Sequence, residues 1–284
     1  MKLILRNLQL YFRDMPAVIM SFLAEVIIMI LYIMFIRDNL LSSFENITNN
    51  KALMDAWMIS GILGITPVTA SMGAYGVMIE DKTRHIISDF RISPMSPCSI
   101  ITGYVMSAAI IGMVLSLVVL FIGEGYMALT YGEIAGAGNT FRILELIILN
   151  SLCVSAIVIL PISFIKGTNA LSGSCTIIGA LIGFLTGIYL PMGTMGDTAQ
   201  NVVINFPISH GVVLFRQALT DKVINNSPEL HGDEADRFIE YMGIAFMKDG
   251  TIMSSISSIF ILVTTASLYL ITTFIIKVWM RKSL

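Results

Sequence analysis

The chain has 284 residues, 56% of them hydrophobic and 13% charged, with a net charge of −2 and a mean hydropathy of +0.83. Average soluble domains carry roughly 25% charged residues, so this share cannot clothe a soluble globule, and the apolar content excludes disorder. The charge balance excludes a basic nucleic-acid binder, which leaves a polytopic membrane protein.

Residues 2–14, KLILRNLQLYFRD, carry Leu5, Leu8 and Phe12 at helical spacing, with Arg6, Gln9 and Arg13 on another side. That pattern predicts an amphipathic helix in a membrane interface. Asp14-Met15-Pro16 then supplies a break and a helix start. The apolar run that follows is 21 residues long and lacks a small-residue cleavage site, so it reads as a span and not as a signal peptide. A helix rises about 1.5 Å per residue, so roughly 20 apolar residues cross a bilayer core. Six stretches qualify: 16–36, 56–79, 99–122, 143–165, 171–190 and 252–278. The expected fold is therefore an all-α polytopic membrane protein, with residues 1–284 forming a single transmembrane domain.

Glu25 sits near the middle of the first span. An ionised carboxylate at that depth costs roughly 3 kcal/mol, so it is either part of a polar path or a protonated group bonded to a neighbouring helix. Thr66 and Pro67 in the second span mark a candidate kink with freed carbonyls. The loop 80–98, EDKTRHIISDFRISPMSPC, is too long for a simple turn. Glu80 and Asp81 suit a helix start, Ile86, Ile87 and Phe90 give that helix an apolar side, and Pro94 and Pro97 end it. This reads as a short surface helix that docks a soluble partner or lipid headgroups. Residues 123–142 read as a solvated connector, and 166–170 as a tight hairpin turn.

Gly179, Gly183 and Gly187 form two GxxxG steps in the fifth span, a flat stripe for helix packing either inside the chain or against a second copy. The segment 191–219 is too apolar for a free loop and is broken by Pro191 and Pro207, so two short helices dipping back toward the bilayer fit it. Residues from about 221 to 250 are polar and acidic and read as an outer cap.

An even number of spans puts both termini on one side. If that side is cytoplasmic, it holds ten Lys and Arg in roughly 50 residues, against seven in roughly 100 outside, which favours cytoplasmic termini. The cysteines, Cys98, Cys153 and Cys175, avoid long polar segments and form no disulfide scaffold. No Cys, His and carboxylate set has metal-site spacing, no catalytic arrangement stands out, and no GxxxxGK[ST] phosphate loop is present. The chain is therefore expected not to be an enzyme and to hold no cofactor or metal of its own.

Several segments, in order, resemble the permease subunit of type-2 ATP-binding-cassette exporters. RNLQLYFRDMPAVIMSFL at 6–23 looks like the family's interfacial helix and first span, and EDKTRHIISDFRISPMSP at 80–97 like its coupling-helix loop. GFLTGIYLPMGTM at 183–195 and FPISHGVVLFRQAL at 206–219 look like the fifth span and its re-entrant outer hairpin. Many members carry a glycine after the acidic pair; here Thr83 and Arg84 occupy that stretch. The resemblance implies a separate ATPase subunit holding ATP and Mg, and a second permease copy, identical or a sister chain. It implies ATPase-coupling contacts at Glu80, Asp81, Arg84, Ile87, Asp89, Phe90 and Arg91, and a transport path near Thr66, Ser71, Thr176 and Phe184, to which the polar-path reading adds Glu25. The implied activity is outward movement of an amphipathic or hydrophobic cargo (a peptide, drug, antibiotic or lipid) across a prokaryotic plasma membrane. The alternatives are an ion- or proton-coupled transporter and a membrane component for sensing or immunity.

Overall fold

In the computed structural model, residues 2–87, 89, 95–132, 137–248 and 251–282 are described. Helix α1 (Lys2–Arg13) is followed by α2 (Met15–Leu31), which continues through a π-helical stretch at Tyr32–Ile36 into α3 (Arg37–Ser43). Then come α4 (Asn50–Thr83), α5 (Pro97–Tyr131), α6 (Ala137–Ser163) and α7 (Thr168–Leu185). A bent pair, α8 (Asp197–Asn205) and α9 (Pro207–Asn225), leads to α10 (Asp233–Met242), a two-residue β-ribbon and α11 (Ser255–Lys282). Six helical segments are long and apolar enough to span: Val18–Ser43, Asn50–Thr83, Pro97–Tyr131, Asn139–Ser163, Thr168–Leu185 and Ser255–Ile276. The expected six-span all-α architecture is the one observed. The end of the bundle carrying α1 and the α4–α5 connection is called proximal below, and the opposite end distal.

Helix α4 is the axis of the molecule. Its most apolar window is 78% buried inside the chain, against 17 to 18% for the corresponding windows of α2, α7 and α11. Two glycines let neighbours lie directly against it, Gly64 admitting α9 and Gly61 the chain just past α7. A Cβ at Gly64 would come within 2.4 Å of Val212 Cγ2, and one at Gly61 within 3.1 Å of Ile188 Cγ1. Asn150 of α6 completes this junction, its Nδ2 donating to the Gly64 carbonyl at 3.0 Å. Pro67 lies inside α4 without ending it, and the Thr66 hydroxyl donates to the Ile62 carbonyl at 2.8 Å. The outward faces of α2, α7 and α11 expose Met20, Phe184 and Phe260 among other large apolar side chains, as helices facing hydrocarbon do.

Three sequence expectations change. The connector expected at 123–142 is shorter, because α5 runs on to Tyr131 and ends on Gly132 with a positive φ of 68°. The distal polar segment begins later, since α9 continues to Asn225. The glycine stripe is not a helix-packing seam within the chain. Gly179 meets nothing within 4 Å, Gly183 makes room for the ring of Tyr189 just beyond its own helix, and Gly187 lies past the end of α7 with a φ of 67°. GxxxG spacing is necessary for close helix approach but does not supply the second helix.

The re-entrant hairpin expected near 191–219 is present as a bent pair, with an angle of 89° between α8 and α9. Phe206 is extended and Pro207 opens α9, so the break follows from a residue that cannot donate its backbone to the preceding turn. Helix α9 runs antiparallel to the distal half of α4, from Val212 opposite Gly64 to Arg216 under Trp57.

Candidate coupling site and intramembrane polar groups

The proximal end of α4 carries three consecutive ionisable residues that point three ways. Asp81 turns inward, with a side chain only 3% exposed. Its two oxygens accept from Arg6 Nη1 and Nη2, each at 2.7 Å, and Oδ2 also accepts from the Tyr104 hydroxyl at 2.6 Å. Both Arg6 bonds are charge-assisted and parallel, so the pair fixes orientation as well as distance. Asp81 in turn holds the Arg6 guanidinium above its ordinary value. Asp81 thus ties α4 to α1 and α5. Lys82 donates to the Ile165 carbonyl at 2.7 Å, tying α4 to the α6–α7 turn. Glu80 pairs with Arg84 at 2.6 Å on the surface, the two side chains 50% and 69% exposed.

Helix α1 is seated by more than this ion pair. Leu3, Asn7 and Tyr11 form its buried face, while Leu5 and Phe12 remain exposed, as in an interfacial helix. Leu3 fills the space left by Gly103, where a Cβ would meet Leu3 Cδ2 at 2.6 Å. Tyr11 lies against Gly73 and shares a 2.9 Å hydrogen bond with Ser21.

Beyond α4, His85 has a positive φ of 60°, and its N–H donates to the Lys82 carbonyl at 3.3 Å, which turns the chain out of the helix. Ile86, Ile87 and Asp89 resume helical geometry, with the two isoleucines half-buried and Asp89 exposed. Phe90 and Arg91 lie outside the described residues. On the far side of the loop, the Ser96 hydroxyl accepts from the Ser99 N–H at 3.2 Å, and Pro97 occupies the first turn of α5. The expected coupling residues therefore divide. Glu80, Arg84 and Asp89 face outward, whereas Asp81 is consumed within the chain, because a carboxylate this buried needs a cation beside it.

The expected path residues do not converge within one chain. Thr66 and Ser71 are fully buried in the bundle, while Thr176 and Phe184 lie on the exposed face of α7. Glu25 is 5% exposed, and its Oε1 lies 2.7 Å from the Thr69 hydroxyl of α4.

Two charged clusters gave little signal in the sequence. Asp55, at the distal end of α4, accepts from Arg37 Nε at 3.0 Å and Nη2 at 3.1 Å, and from the hydroxyls of Tyr32, Tyr126 and Tyr131 at 3.3, 2.9 and 2.6 Å. The π-helical stretch explains how Tyr32 and Arg37 both reach it. Bonding from Arg37 N–H to the Tyr32 carbonyl, five residues back, brings that pair onto one face. Arg216 is fully buried, with no carboxylate beside it among the described residues. Its Nη2 donates to the Gly187 carbonyl at 2.7 Å, its Nη1 to Gly243 at 3.0 Å, and its Cζ lies 4.3 Å from the Trp57 ring centroid. Carbonyls past the ends of α7 and α10 thus solvate this cation, as a helix C-terminus favours. In the sequence the warning sign was the place of Arg216 in the apolar run GVVLFRQAL.

The family described as ABC-2 type transporter matches residues 1–220, which contain α1 through most of α9. No curated protein matches the chain. With a family match over most of its length and six spanning helices, the chain belongs to the ABC-2 type transporter family, as a transmembrane permease component that works with an ATP-binding-cassette ATPase.

Proposed function

We propose that this chain is the membrane subunit of an exporter that moves an amphipathic or hydrophobic cargo outward, driven by ATP and Mg on a separate ATPase. Two permease copies and two ATPases form the working unit in the plasma membrane of a prokaryote, with the proximal end and both termini cytoplasmic. The observation that carries this reading is the wiring of the α4 proximal end. The loop that leaves α4 at Arg84 is one turn from the bonds joining α4 to α1, α5 and the α6–α7 turn. A push on that loop reaches four spans and the interfacial helix at once. Glu80, Arg84, Ile87, Asp89, Phe90 and Arg91 supply the docking contacts, while Asp81 transmits rather than docks. The apolar outer faces of α2, α7 and α11 suit a cargo that partitions from lipid.

The test is co-purification with the ATPase subunit of the same transporter, using the native chain and Ile87→Asp with Asp89→Arg. Retention by the native chain and loss by the variant is expected. Equal retention by both places docking elsewhere, and no retention by the native chain sinks the exporter reading.

A further inference from the structure

The first span is packed to α4 through widely spaced polar contacts, Tyr32 and Arg37 on Asp55 and Glu25 on Thr69, and the second of these is incomplete. Glu25 Oε1 is held by Thr69, but Oε2 is buried and has no hydrogen-bond partner among the described residues. Beside this carboxyl is a slot of about 80 Å³ between α2, α4 and α5, lined by Phe22, Val26, Met29, Ile62 and Ile122 among others. Apart from Glu25 every lining residue is apolar. Gly123 of α5 keeps the floor of the slot tight, since a Cβ there would meet Ile59 Cγ2 at 2.7 Å. The lip is open: Val26 is 50% and Ile122 60% exposed on the lipid-facing side.

We infer that this slot binds a lipophilic amine, with the ammonium group against Glu25 Oε2 and its hydrocarbon body lying along Val26 and Ile122. The ligand class follows from the chemistry of the lining. A lone carboxylate in an apolar wall is costly in hydrocarbon, and a cation with N–H donors removes that cost in a way that a neutral or anionic amphiphile does not. The volume admits a head group and leaves no room for a whole drug-sized molecule, so the body must lie outside, where the lip is exposed and apolar. Depth excludes a phospholipid head. Glu25 is ten residues beyond Met15, about 15 Å along the helix and close to the middle of a ~30 Å core. The amine must therefore be carried to mid-depth on its own hydrocarbon. Thr69 has a matching role. Its hydroxyl lies 2.7 Å from Glu25 Oε1 and 2.9 Å from the Thr66 carbonyl, so it holds one carboxyl oxygen and leaves the other unpartnered in a residue that lines the slot.

The inference needs neither the ATPase nor a direction of transport, so its failure and that of the exporter reading are separable. The experiment is equilibrium binding of radiolabelled dodecylammonium to the full chain in zwitterionic nanodiscs, with protein-free nanodiscs as the background. Saturable binding to the native chain is expected, weakened at least about tenfold by Glu25→Gln, the loss of one charge-assisted hydrogen bond. Dodecanoate and dodecanol should not compete, and doping the discs with phosphatidylethanolamine should leave binding unchanged. Met29→Phe, which fills the slot while sparing the carboxyl, should also abolish binding and decides the matter if Glu25→Gln fails to fold. The proposal is overturned by native binding no greater than background, by equal binding in native and either folded variant, or by competition from dodecanol, dodecanoate or phosphatidylethanolamine.

Discussion

Asp81 and Arg6 are 75 positions apart, yet their bonds are among the shortest between charged groups in the chain. Their unequal burial sets an asymmetry that mutation should expose. Arg6→Ala leaves a carboxylate 3% exposed with, among the described residues, the Tyr104 hydroxyl as its remaining donor, whereas Asp81→Asn leaves an arginine that is already 33% exposed and can turn to water. Removing one partner of a buried pair costs about 3–5 kcal/mol when the other is stranded; partial exposure of Arg6 reduces this to about 2 kcal/mol for Arg6→Ala and about 1 kcal/mol for Asp81→Asn. Thermal unfolding in detergent should rank Arg6→Ala below Asp81→Asn, with the double variant less destabilised than the sum of the two. The opposite ranking would mean that the pair is not the anchor of α1. The sequence displayed both residues but not the pairing. Acidic residues near a helix boundary read as a helix start, and only the fold shows that α4 ends there and that Asp81 points into the bundle.

Elements were legible where apolar length decides the outcome. All six spans, the interfacial helix and the Pro207 break follow from run length, spacing and proline, which act locally. Contacts between helices were not, because they depend on which residues happen to face one another. Gly64 and Gly179 make the contrast. A Cβ at Gly64 would meet Val212 Cα at 2.8 Å and push α9 off α4, whereas Gly179 has open space around it. Gly64→Ala should destabilise the bundle by about 1–3 kcal/mol. Gly179→Ala should be neutral or slightly stabilising, since alanine is the better helix former by about 1 kcal/mol. Comparing the unfolding midpoints of the two variants checks both, and equal loss would restore the stripe as a seam. Between α3 and α4, Thr48 donates its hydroxyl and N–H to Glu229, and the Ser227 hydroxyl donates to the Thr48 carbonyl at 2.9 Å. The Thr48 hydroxyl holds the Glu229 carboxyl below its ordinary range. A depressed carboxylate contributes stability above its unfolded value and loses it as pH falls through the folded one. Hydrogen exchange in residues 44–50, corrected for intrinsic rates, should therefore hold steady from pH 7 down to about pH 4.5 and speed up as the pH falls further in the native chain. Glu229→Gln should exchange faster at pH 7 and respond less to acid; an unchanged response would assign it to another group.

At the scale of the whole molecule, the proximal face separates outward-facing charges from inward-bonded ones. Glu80, Arg84 and Asp89 are exposed, while Asp81 and Lys82, one or two positions away, are spent on bonds inside the chain. Helical geometry produces the division, since consecutive residues point about 100° apart and one turn can serve both a partner and the bundle. If the ATPase docks on the exposed set and its motion travels through the inward set, the two kinds of variant should fail differently. Asp89→Arg should lose the ATPase and with it all ATP-driven flux. Lys82→Ala removes the bond to the Ile165 carbonyl and frees the α6–α7 turn, but leaves the docking face intact. It should retain the ATPase in full and hydrolyse ATP while flux of cargo falls several-fold. Co-purification together with ATP turnover and flux in proteoliposomes separates these outcomes. If Lys82→Ala sheds the ATPase as Asp89→Arg does, the α4 end is itself part of the docking surface. If it changes nothing, the force enters the spans by another route, and Arg6 with Tyr104 becomes the pair to break next.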